Sequence, residues 1–483
     1  MEPGPYSQHW PLPPESLGAD WGPDRTVRAE VLTRLLLAGP EPLPGRTPTL
    51  QVAGARIVGE LNLRGARVEV YIDLRGCRFE GAVALADAST ATVRLIGSVL
   101  PALRARRARV DGDLCVTTCR VREGITLTDA QIGIDVVLNG SHVTHMDDGR
   151  SIAADGTQIG GDLRADGPFR SVGMLHLRGA RIGGRAMFYT ARLDALDGHD
   201  ARGHRHLALD ASALVVEQTL HLSDRFTVSG SIRLNDAKFG DACVIDHAAI
   251  LREPDELLAM WRVTARTLSL VMDPDPRGRV VLNGTRLEVL TDTPDTWPGP
   301  GRVEIAGMTY TVLRSTSPMT LEQRLRWLGQ ATSRYEPQPY EQLAAAYRAS
   351  GQDEEARSVL LAKQRRSRET LRLPGRIWGY VQDAAIGYGY RPARALAWLV
   401  ALIAVGTAVF AVNRPTPVNA DEAPHWNALF YTLDLLLPVV TFGQEQAWNP
   451  GGWAQWVAYT LVILGWVLAG AAAAGATRVL NRA

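Results

Sequence analysis

The amino-acid sequence predicts a mainly β protein in which a parallel β-solenoid is followed by an α-helical hairpin and a two-helix transmembrane module. Three observations predict this order. An eleven-residue repeat fills the first two-thirds of the chain, the period of the apolar residues then changes from two to about 3.6, and two long uncharged apolar runs come last. At 483 residues the chain exceeds a single hydrophobic core, which usually stops growing at roughly 250–300 residues.

We therefore expect four parts. They are an N-terminal arm with a capping helix at 1–49, the β-solenoid at 50–313, a helical hairpin linker at 318–385 and a membrane domain at 386–483. The opening residues, MEPGPYSQHW, lack a basic start followed by an apolar core, so we expect no cleavable signal peptide.

The repeat is clearest in ARIVGELNLRG (55–65), ARVEVYIDLRG (66–76) and CRFEGAVALAD (77–87), whose starts are eleven residues apart (66−55, 77−66). Its apolar residues alternate, as in a strand, and Gly or Asp at its end marks a corner. Stacking such repeats buries the alternating face, and we expect inward ladders from Ile57, Leu61, Leu63, Val68, Ile72, Leu74 and Phe79. The outward positions are rich in arginine: Arg56, Arg64, Arg67, Arg75 and Arg78.

Loops interrupt the repeat near 141–156, 194–207 and 252–260. Stacked strands also need protected ends. The segment 24–39 places five aliphatic residues on one helical face, and we expect it to cap the solenoid: Val27, Val31, Leu32, Leu35 and Leu36.

Composition excludes several classes of function. Lys and Arg total 52 against 51 Asp and Glu, so no nucleic-acid partner is expected, and the absence of a Gly-Lys pair excludes a P-loop. The chain has no HExxH, no GxSxG and no GxGxxG between a strand and a helix. Cys115 and Cys119 lack a second ligand pair, and the histidines at 142, 145, 199, 204 and 206 are interpreted as solvated loop residues. We predict no catalytic residue, metal or cofactor.

The segment PYEQLAAAYRASGQDEEARSVLLAKQRRSRETL (339–371) matches a single tetratricopeptide-like helical hairpin. We expect it to pack on the end of the solenoid, with Trp327 and Tyr335 nearby. Peptide binding is the alternative role for this hairpin.

Two apolar runs, 395–412 and 456–477, are long enough to cross a hydrocarbon core of about 30 Å. Cations concentrate before the first run and after the second: Lys363, Arg365, Arg366, Arg368, Arg372, Arg376, Arg391, Arg394, Arg478 and Arg482. The intervening loop carries Arg414 but also Asp421, Glu422 and Glu445. The positive-inside rule therefore predicts a two-span protein of the cell membrane whose two termini and solenoid are cytoplasmic.

The stretch DAAIGYGYRP (383–392) contains a sequence like a potassium-channel filter, but it lies at the cytoplasmic entry to the first run, where no filter can work. We interpret Tyr388, Tyr390 and Arg391 as an interfacial anchor.

Between the runs, ALFYTLDLLLPVVTFGQ (428–444) is a candidate re-entrant segment: a short apolar helix and then a Thr-x-Gly turn. The layout from 428 to 482 resembles two-span potassium-channel-type pores. The resemblance implies pore-like roles for Asp434, Thr441, Phe442, Gly443 and Gln444, and a homo-oligomer, because one copy cannot enclose a channel. The alternative is an amphipathic extracytoplasmic segment lying on the membrane surface.

The whole order (β-solenoid, PYEQLAAAYR hairpin, GYGYRP, and paired spans flanking LDLLLPVV) resembles a family of actinobacterial membrane-associated proteins. The repeats resemble pentapeptide-repeat and related right-handed parallel β-helix proteins, which implies a right-handed solenoid. Two functions stay open. One is a membrane-anchored scaffold or sensor with the lipid bilayer and a cytoplasmic protein as partners. The other is a membrane-associated oxidoreductase, in line with a label that the family often carries.

Overall fold

The computed structural model describes residues 11–39, 45, 47–196, 206–252, 256–272, 278–293, 297–331, 334–386, 392–419, 423–437 and 440–480. The chain divides into two compact units, a solenoid unit (Met1–Gln342) and a helical unit (Leu343–Ala483).

The solenoid unit is a parallel β-solenoid of about ten turns, as predicted. Each turn passes through four strands that stack on those of the next turn, so four faces run along the solenoid. Ile57 pairs with Phe79 and Leu61 pairs with Val83, in both cases twenty-two residues later (79−57, 83−61). The eleven-residue repeat is therefore half a turn.

Faces 1 and 2 follow one another along the chain. Face 1 contains the strands Thr26–Arg28, Arg56–Val58, Arg78–Phe79, Val99–Leu100, Arg120–Val121, His142–Thr144, Arg170–Val172, Arg192–Asp194, Thr227–Ser229 and the end of Ala242–Arg252. Face 2 contains the strands Leu61–Asn62, Val83–Ala84, Leu103–Arg104, Ile125–Thr126, Arg150–Ala153, Met174–His176, Leu207–Asp210, Ser231–Arg233, Glu256–Ala259, Arg279–Val281 and Val303–Glu304.

Faces 3 and 4 complete each turn. Face 3 contains the strands Arg67–Val68, Ser89–Thr90, Arg109–Val110, Gln131–Ile132, Gln158–Ile159, Arg181–Ile182, Val215–Val216 and Lys238–Phe239, and it continues into the starts of Thr264–Met272 and Arg286–Asp292. Face 4 contains the strands Thr49–Ala53, Tyr71–Arg75, Val93–Ile96, Leu114–Thr117, Val136–Val137, Leu163–Arg164, Ala186–Met187, Leu220–Leu222, Ala242–Arg252, Thr264–Met272, Arg286–Asp292 and Val312–Ser315.

The Gly or Asp that ends each repeat turns the chain with a left-handed residue. Gly54, Gly65, Gly76 and Asp87, eleven residues apart, have φ values of +63°, +64°, +54° and +58°. Gly adopts this region without a steric cost, and Asp tolerates it better than most residues. The corner signal in the sequence is thus a backbone requirement.

The predicted inward ladders are confirmed, because the seven side chains named for them are each at most 2% exposed. The four cysteines are also free and buried. Next to the face 4 to face 1 corner, the hydroxyl of Ser98 accepts the N–H of Cys77 at 3.0 Å, and that of Ser141 accepts the N–H of Cys119 at 2.9 Å. Cys77 and Cys119 therefore occupy equivalent corner positions two turns apart.

The three predicted interruptions fall at one corner of the solenoid, between faces 1 and 2. Each precedes a face 2 strand whose register shifts, at Arg150–Ala153, Leu207–Asp210 and Glu256–Ala259. Insertions at a corner leave the stacked strands paired, which is why the repeat resumes after each.

The N-terminal cap differs from the predicted helix. Thr26–Arg28 is a strand that pairs in parallel with Arg56–Val58, and helix α1 (Ala29–Ala38) starts only after it. Leu32 and Leu36 are buried, but Val31 and Leu35 are 47% and 43% exposed, so the prediction that they cover the core is wrong. Because Thr26–Arg28 extends the sheet, the helix begins only at Ala29. Its buried residues are Ala29, Leu32 and Leu36.

Helix α2 (Leu321–Ala331) closes the other end of the solenoid. Arg324 of α2 pairs with the buried Asp292, its Nη2 donating to Oδ1 at 2.9 Å, and the indole N–H of Trp297 donates to Oδ2 at 2.9 Å. The ring of Trp327 lies 4.9 Å from that of Trp297. Helix α3 (Pro337–Ala349) follows, and the amide of Gln338 donates to the carbonyl of Met308 at 2.7 Å, which satisfies part of the last sheet edge.

The helical unit continues with α4 (Asp353–Glu369), α5 (Leu373–Ile386), α6 (Pro392–Val412), α7 (Ala428–Leu436) and α8 (Trp453–Leu480). Two short strands, Thr416–Pro417 and Trp448–Asn449, pair antiparallel beside α7.

Among the described residues, one helix is long and apolar enough to cross a membrane, over Trp453–Gly470 of α8. This stretch overlaps the predicted span at 456–477. The apolar stretch of α6, Leu396–Val412, is shorter. Length and composition therefore support one span, and the first predicted span stays a proposal.

Candidate functional site

The short helix α7 packs between α6 and α8 in the helical unit, at the place of the predicted re-entrant segment. Asn427 caps its N-terminus, with Oδ1 accepting the N–H groups of Leu429 at 3.0 Å and Phe430 at 3.3 Å. Tyr431 and Leu436 are buried in the cluster that joins the three helices. The ring of Tyr431 meets Phe410 of α6 edge-on, with centroids 4.9 Å apart.

Glycines on both flanking helices bring α7 close. A Cβ at Gly406 of α6 would lie 2.5 Å from Cγ2 of Thr432, and one at Gly465 of α8 would lie 2.4 Å from the carbonyl oxygen of Leu436. A side chain at Gly465 would therefore push α7 away from α8.

Asp434 lies behind the turn that follows α7. Its side chain is buried, and its carboxylate accepts three backbone N–H groups: those of Phe442, of Gln444 at 2.6 Å and of Glu445 at 3.1 Å. A carboxylate that receives several backbone donors is satisfied without a cation. Asp434 therefore fixes the conformation of residues 442–445.

Gln444 ties the same turn to the start of α7. Its Nε2 donates to the carbonyl of His425 at 3.1 Å, and its Oε1 accepts the N–H of Asn427 at 3.4 Å. Gln444 is buried, so its side chain supports the turn and does not face solvent.

Thr441, Phe442 and Gly443 are the exposed part of the turn. Gly443 has a φ of +75°, a region that a β-branched residue avoids, and no atom lies within 4 Å of its Cβ position. The ring of Phe442 lies 5.2 Å from that of Phe430. The arrangement is an exposed turn held from behind by Asp434 and Gln444.

The outer surface of α6 and α8 is apolar. Trp456, Ile463 and Trp466 of α8 are 73%, 63% and 62% exposed, and Leu396 and Val405 of α6 are 63% and 57% exposed. Only 22% of the candidate span is buried within the chain. A set of exposed apolar side chains on neighbouring helices marks a surface that binds a membrane or another protein.

The predicted anchor residues Tyr388, Tyr390 and Arg391 lie outside the described residues. The predicted outward arginines of the solenoid are described, and several form ion pairs along it, such as Arg56 with Glu80 at 2.5 Å. In the RARRAR stretch (104–109), Arg107 pairs with Asp87 at 2.7 Å and Arg109 with Asp111 at 3.0 Å. These pairs offset much of the positive charge on the surface.

A buried group of charges on face 2 was not predicted. Nδ1 of His176 lies 2.8 Å from Asp155, as an ion pair and not an aligned hydrogen bond, and Nε2 lies 3.4 Å from Asp210. Burial alone would lower the pKa of His176, but the two carboxylates raise it to about 9. Burial acts to raise the pKa of Asp210, but hydrogen bonds from His176 and Ser212 outweigh it and hold that pKa well below its usual range.

A signal for this group exists in the repeat. His176, Asp210 and Arg233 occupy one register position in successive turns of face 2, each following a buried aliphatic residue. Opposite charges at one position of consecutive repeats would have indicated an axial stack. His142, by contrast, lies in a face 1 strand, 3.2 Å from Arg120, so its assignment to a loop is wrong.

A groove of about 420 Å³ runs along face 3. Arg109, Gln131, Gln158 and Arg181 stack in register on one side of it. Its floor is bare backbone, because a Cβ at Gly133, Gly160 or Gly183 would come within 2.1–2.2 Å of a carbonyl oxygen of the turn below.

Comparison with protein-family models, with curated proteins and with solved structures found no match. Within the part of the chain that the structure describes, no group of three or more His, Cys, Asp and Glu side chains is arranged to hold a metal ion.

Proposed function

We propose that this chain is an integral membrane protein in which the helical unit anchors the solenoid at the cytoplasmic side as a scaffold or sensor for a protein partner. The observation that carries the proposal is the apolar outer surface of α6 and α8. Trp456 and Ile463, more than 60% exposed, would be costly in water but favourable in hydrocarbon.

The orientation follows from the charges that flank the helices. Cations cluster from Lys363 to Arg376 before α6, and Arg478 lies at the end of α8, whereas the connecting loop carries Asp421 and Glu422. The positive-inside rule then puts both termini in the cytoplasm if α6 and α8 each cross the membrane.

Cysteine accessibility in intact cells tests the topology. The native cysteines are buried, so a single introduced thiol can be labelled. Cysteine in place of Gln446, which is exposed in the loop, should react with a membrane-impermeant thiol reagent, and cysteine in place of Gln131 on the solenoid should react only after lysis. The opposite order of labelling, or release of the protein by alkaline carbonate, would overturn the proposal.

We further propose that several copies of the helical unit assemble around an axis, with the turn 441–443 facing that axis. The support is the exposed turn that Asp434 and Gln444 fix from behind, on a short helix that packs between two long ones. Pore-lining turns need this kind of support, because a filter backbone must keep its shape without a ligand.

The groove on face 3 is the surface that we propose for the cytoplasmic partner. Its in-register Arg and Gln side chains offer repeated donors at the spacing of stacked strands, about 4.8 Å. A photo-crosslinker at Gln158 should capture a cytoplasmic protein, and the same group at Arg104, exposed on face 2, should not. Equal capture at both positions would contradict this assignment.

A further inference from the structure

We infer that α5 lies flat on the cytoplasmic surface of the membrane and binds anionic phospholipid; the inference rests on the proposed membrane anchoring. Leu373, Ile377 and Tyr380 are spaced i, i+4 and i+7, so they share one face of the helix. They are 70%, 59% and 56% exposed. Together they form a row of exposed apolar side chains.

The opposite face of α5 explains which side points away from the protein. Gly375 and Gly379 are half-buried and buried, and with Asp383 they form a second row spaced by four residues. The carboxylate oxygen Oδ2 of Asp383 forms ion pairs with two residues of α4, with Nε of Arg365 at 2.9 Å and with Nη1 of Arg368 at 3.4 Å. The ion pairs of Asp383 therefore hold α5 against α4, and α5 also packs on α6 and α8, whereas the apolar row is left exposed.

Charge complementarity indicates what covers that row. Lys363, Arg365, Arg366, Arg368, Arg372 and Arg376 lie between 363 and 376, against Glu369 alone. Among the described residues, Arg372 and Arg376 are exposed and form no ion pair, and both lie beside the apolar row. An amphipathic helix with flanking arginines is typical of binding to an anionic interface, where the long side chains reach the headgroups.

The position of α5 in the chain agrees with this partner. It ends at Ile386, and the apolar helix α6 begins at Pro392, so the chain can place α5 no more than a few residues from the proposed entry into the membrane. The guanidinium of Arg368 lies 3.8 Å from the ring centroid of Tyr380, and the tyrosine is still 56% exposed. A tyrosine in this place suits the headgroup level.

The test uses the full chain in nanodiscs of phosphatidylcholine alone or mixed with phosphatidylglycerol. An environment-sensitive fluorophore is attached at Ile377→Cys, and the matched control label is at Glu354→Cys on α4, which is also exposed. The four native cysteines are buried, and burial raises the pKa of each of their thiols, so the introduced thiol is the one that reacts.

We expect a blue shift and quenching by shallow nitroxide lipids at 377, both larger in the anionic discs, and neither at 354. The double substitution Arg372→Gln/Arg376→Gln should remove the dependence on anionic lipid, since each arginine at such a surface strengthens binding about fivefold. If the protein inserts into discs but the label at 377 keeps the emission of a fluorophore in water, the inference about α5 is wrong and the proposed anchoring still stands. A shift that depends on protein concentration and not on lipid would assign the row to a second copy, whereas failure to enter discs would overturn the anchoring itself.

Discussion

The carboxylate of Asp434 accepts the backbone N–H of Gln444 at 2.6 Å, ten residues along the chain. With the N–H groups of Phe442 and Glu445 on the same side chain, this contact replaces the cation that a buried carboxylate would otherwise need. The two side chains have different roles. Asp434 holds the backbone conformation of the turn, and Gln444 connects the turn to the start of α7.

Replacement of Asp434 by Asn should loosen this turn. The amide retains one acceptor oxygen, but its NH₂ group faces donors, and each charged hydrogen bond that is lost contributes about 1.5–3 kcal/mol. We expect hydrogen-exchange protection at Phe442, Gln444 and Glu445 to fall by about tenfold or more.

Glu445→Gln is the matched control for that measurement. Glu445 contributes only its backbone N–H to the contact, and its side chain is exposed, so protection in the turn should stay at the level of the parent protein. Equal loss in both variants would mean that Asp434 does not hold the turn.

Much of the fold could be predicted from the sequence because the repeat is periodic at the level of single residues. The alternation that placed Leu74 and Phe79 inward and the Gly or Asp corners are local backbone and burial rules, and both are met. The four faces of each turn could not be predicted in this way. The eleven-residue period does not show how many repeats make one complete turn of the solenoid.

The candidate site was predictable in part for a different reason. The interruption of an apolar run by Asp434 marked a residue with a buried role, and a Thr-x-Gly motif marked the turn. The sequence gives no sign that Gln444 points back to His425 and Asn427, because such contacts depend on the packing of α7. The face 2 charges at His176 were missed because each residue is unremarkable within its own repeat.

Phe79→Asp should disrupt the solenoid. Phe79 is 2% exposed, so the variant buries an unpaired carboxylate beside its neighbour Ile57, at a cost of several kcal/mol. We expect the unfolding midpoint in urea, followed by far-ultraviolet circular dichroism, to fall sharply. Gln131→Asp, at an exposed position next to Arg109, should unfold like the parent protein. Similar midpoints for the two variants would show that the assigned register is wrong.

The stability of the solenoid should decrease as the pH rises from about 6.5 through about 9. His176 has a pKa of about 9 in the folded chain against an ordinary 6.5. Its contribution is therefore complete below 6.5 and is lost as the imidazolium deprotonates in the fold. The loss is about 3 kcal/mol at most, at 1.36 kcal/mol per tenfold change in proton affinity. Urea midpoints measured across this range check the slope.

His176→Gln should flatten this slope, and His221→Gln is its control. Burial lowers the pKa of His221, so the titration of that residue acts to raise the stability of the fold as the pH rises and cannot contribute to the loss. A slope that survives in His176→Gln would assign the pH dependence to other groups.

Arg324→Met should detach helix α2 from the end of the solenoid. The substitution leaves the carboxylate of Asp292 buried, with the indole N–H of Trp297 still donating to it. Removal of one partner of a buried ion pair costs about 3–5 kcal/mol. Near-ultraviolet circular dichroism of Trp297 and Trp327 should report the change at a lower urea concentration. Arg326→Met, in an exposed pair with Glu322, should cost about 1 kcal/mol or less. If both variants melt alike, the cap is held by other contacts.

Gly443→Val should abolish ion conductance if the turn lines a pore. Gly443 has a φ of +75°, which valine adopts only with strain, although the space around its Cβ position is open. The variant should therefore fold and assemble but distort the backbone between Phe442 and Gln444, the stretch that would have to present its carbonyl groups to an ion.

The measurement is the conductance of purified protein in planar bilayers, and Gly470→Val is the control variant. Gly470 also has open space at its Cβ position but lies on α8, far along the chain from the turn. If the current persists in Gly443→Val and is lost in Gly470→Val, the pore is lined by α8 and not by the turn. A monomer in nanodiscs, with no current under any ion gradient, would leave the anchored scaffold without a pore, because two long helices and one short one cannot enclose a channel in a single copy.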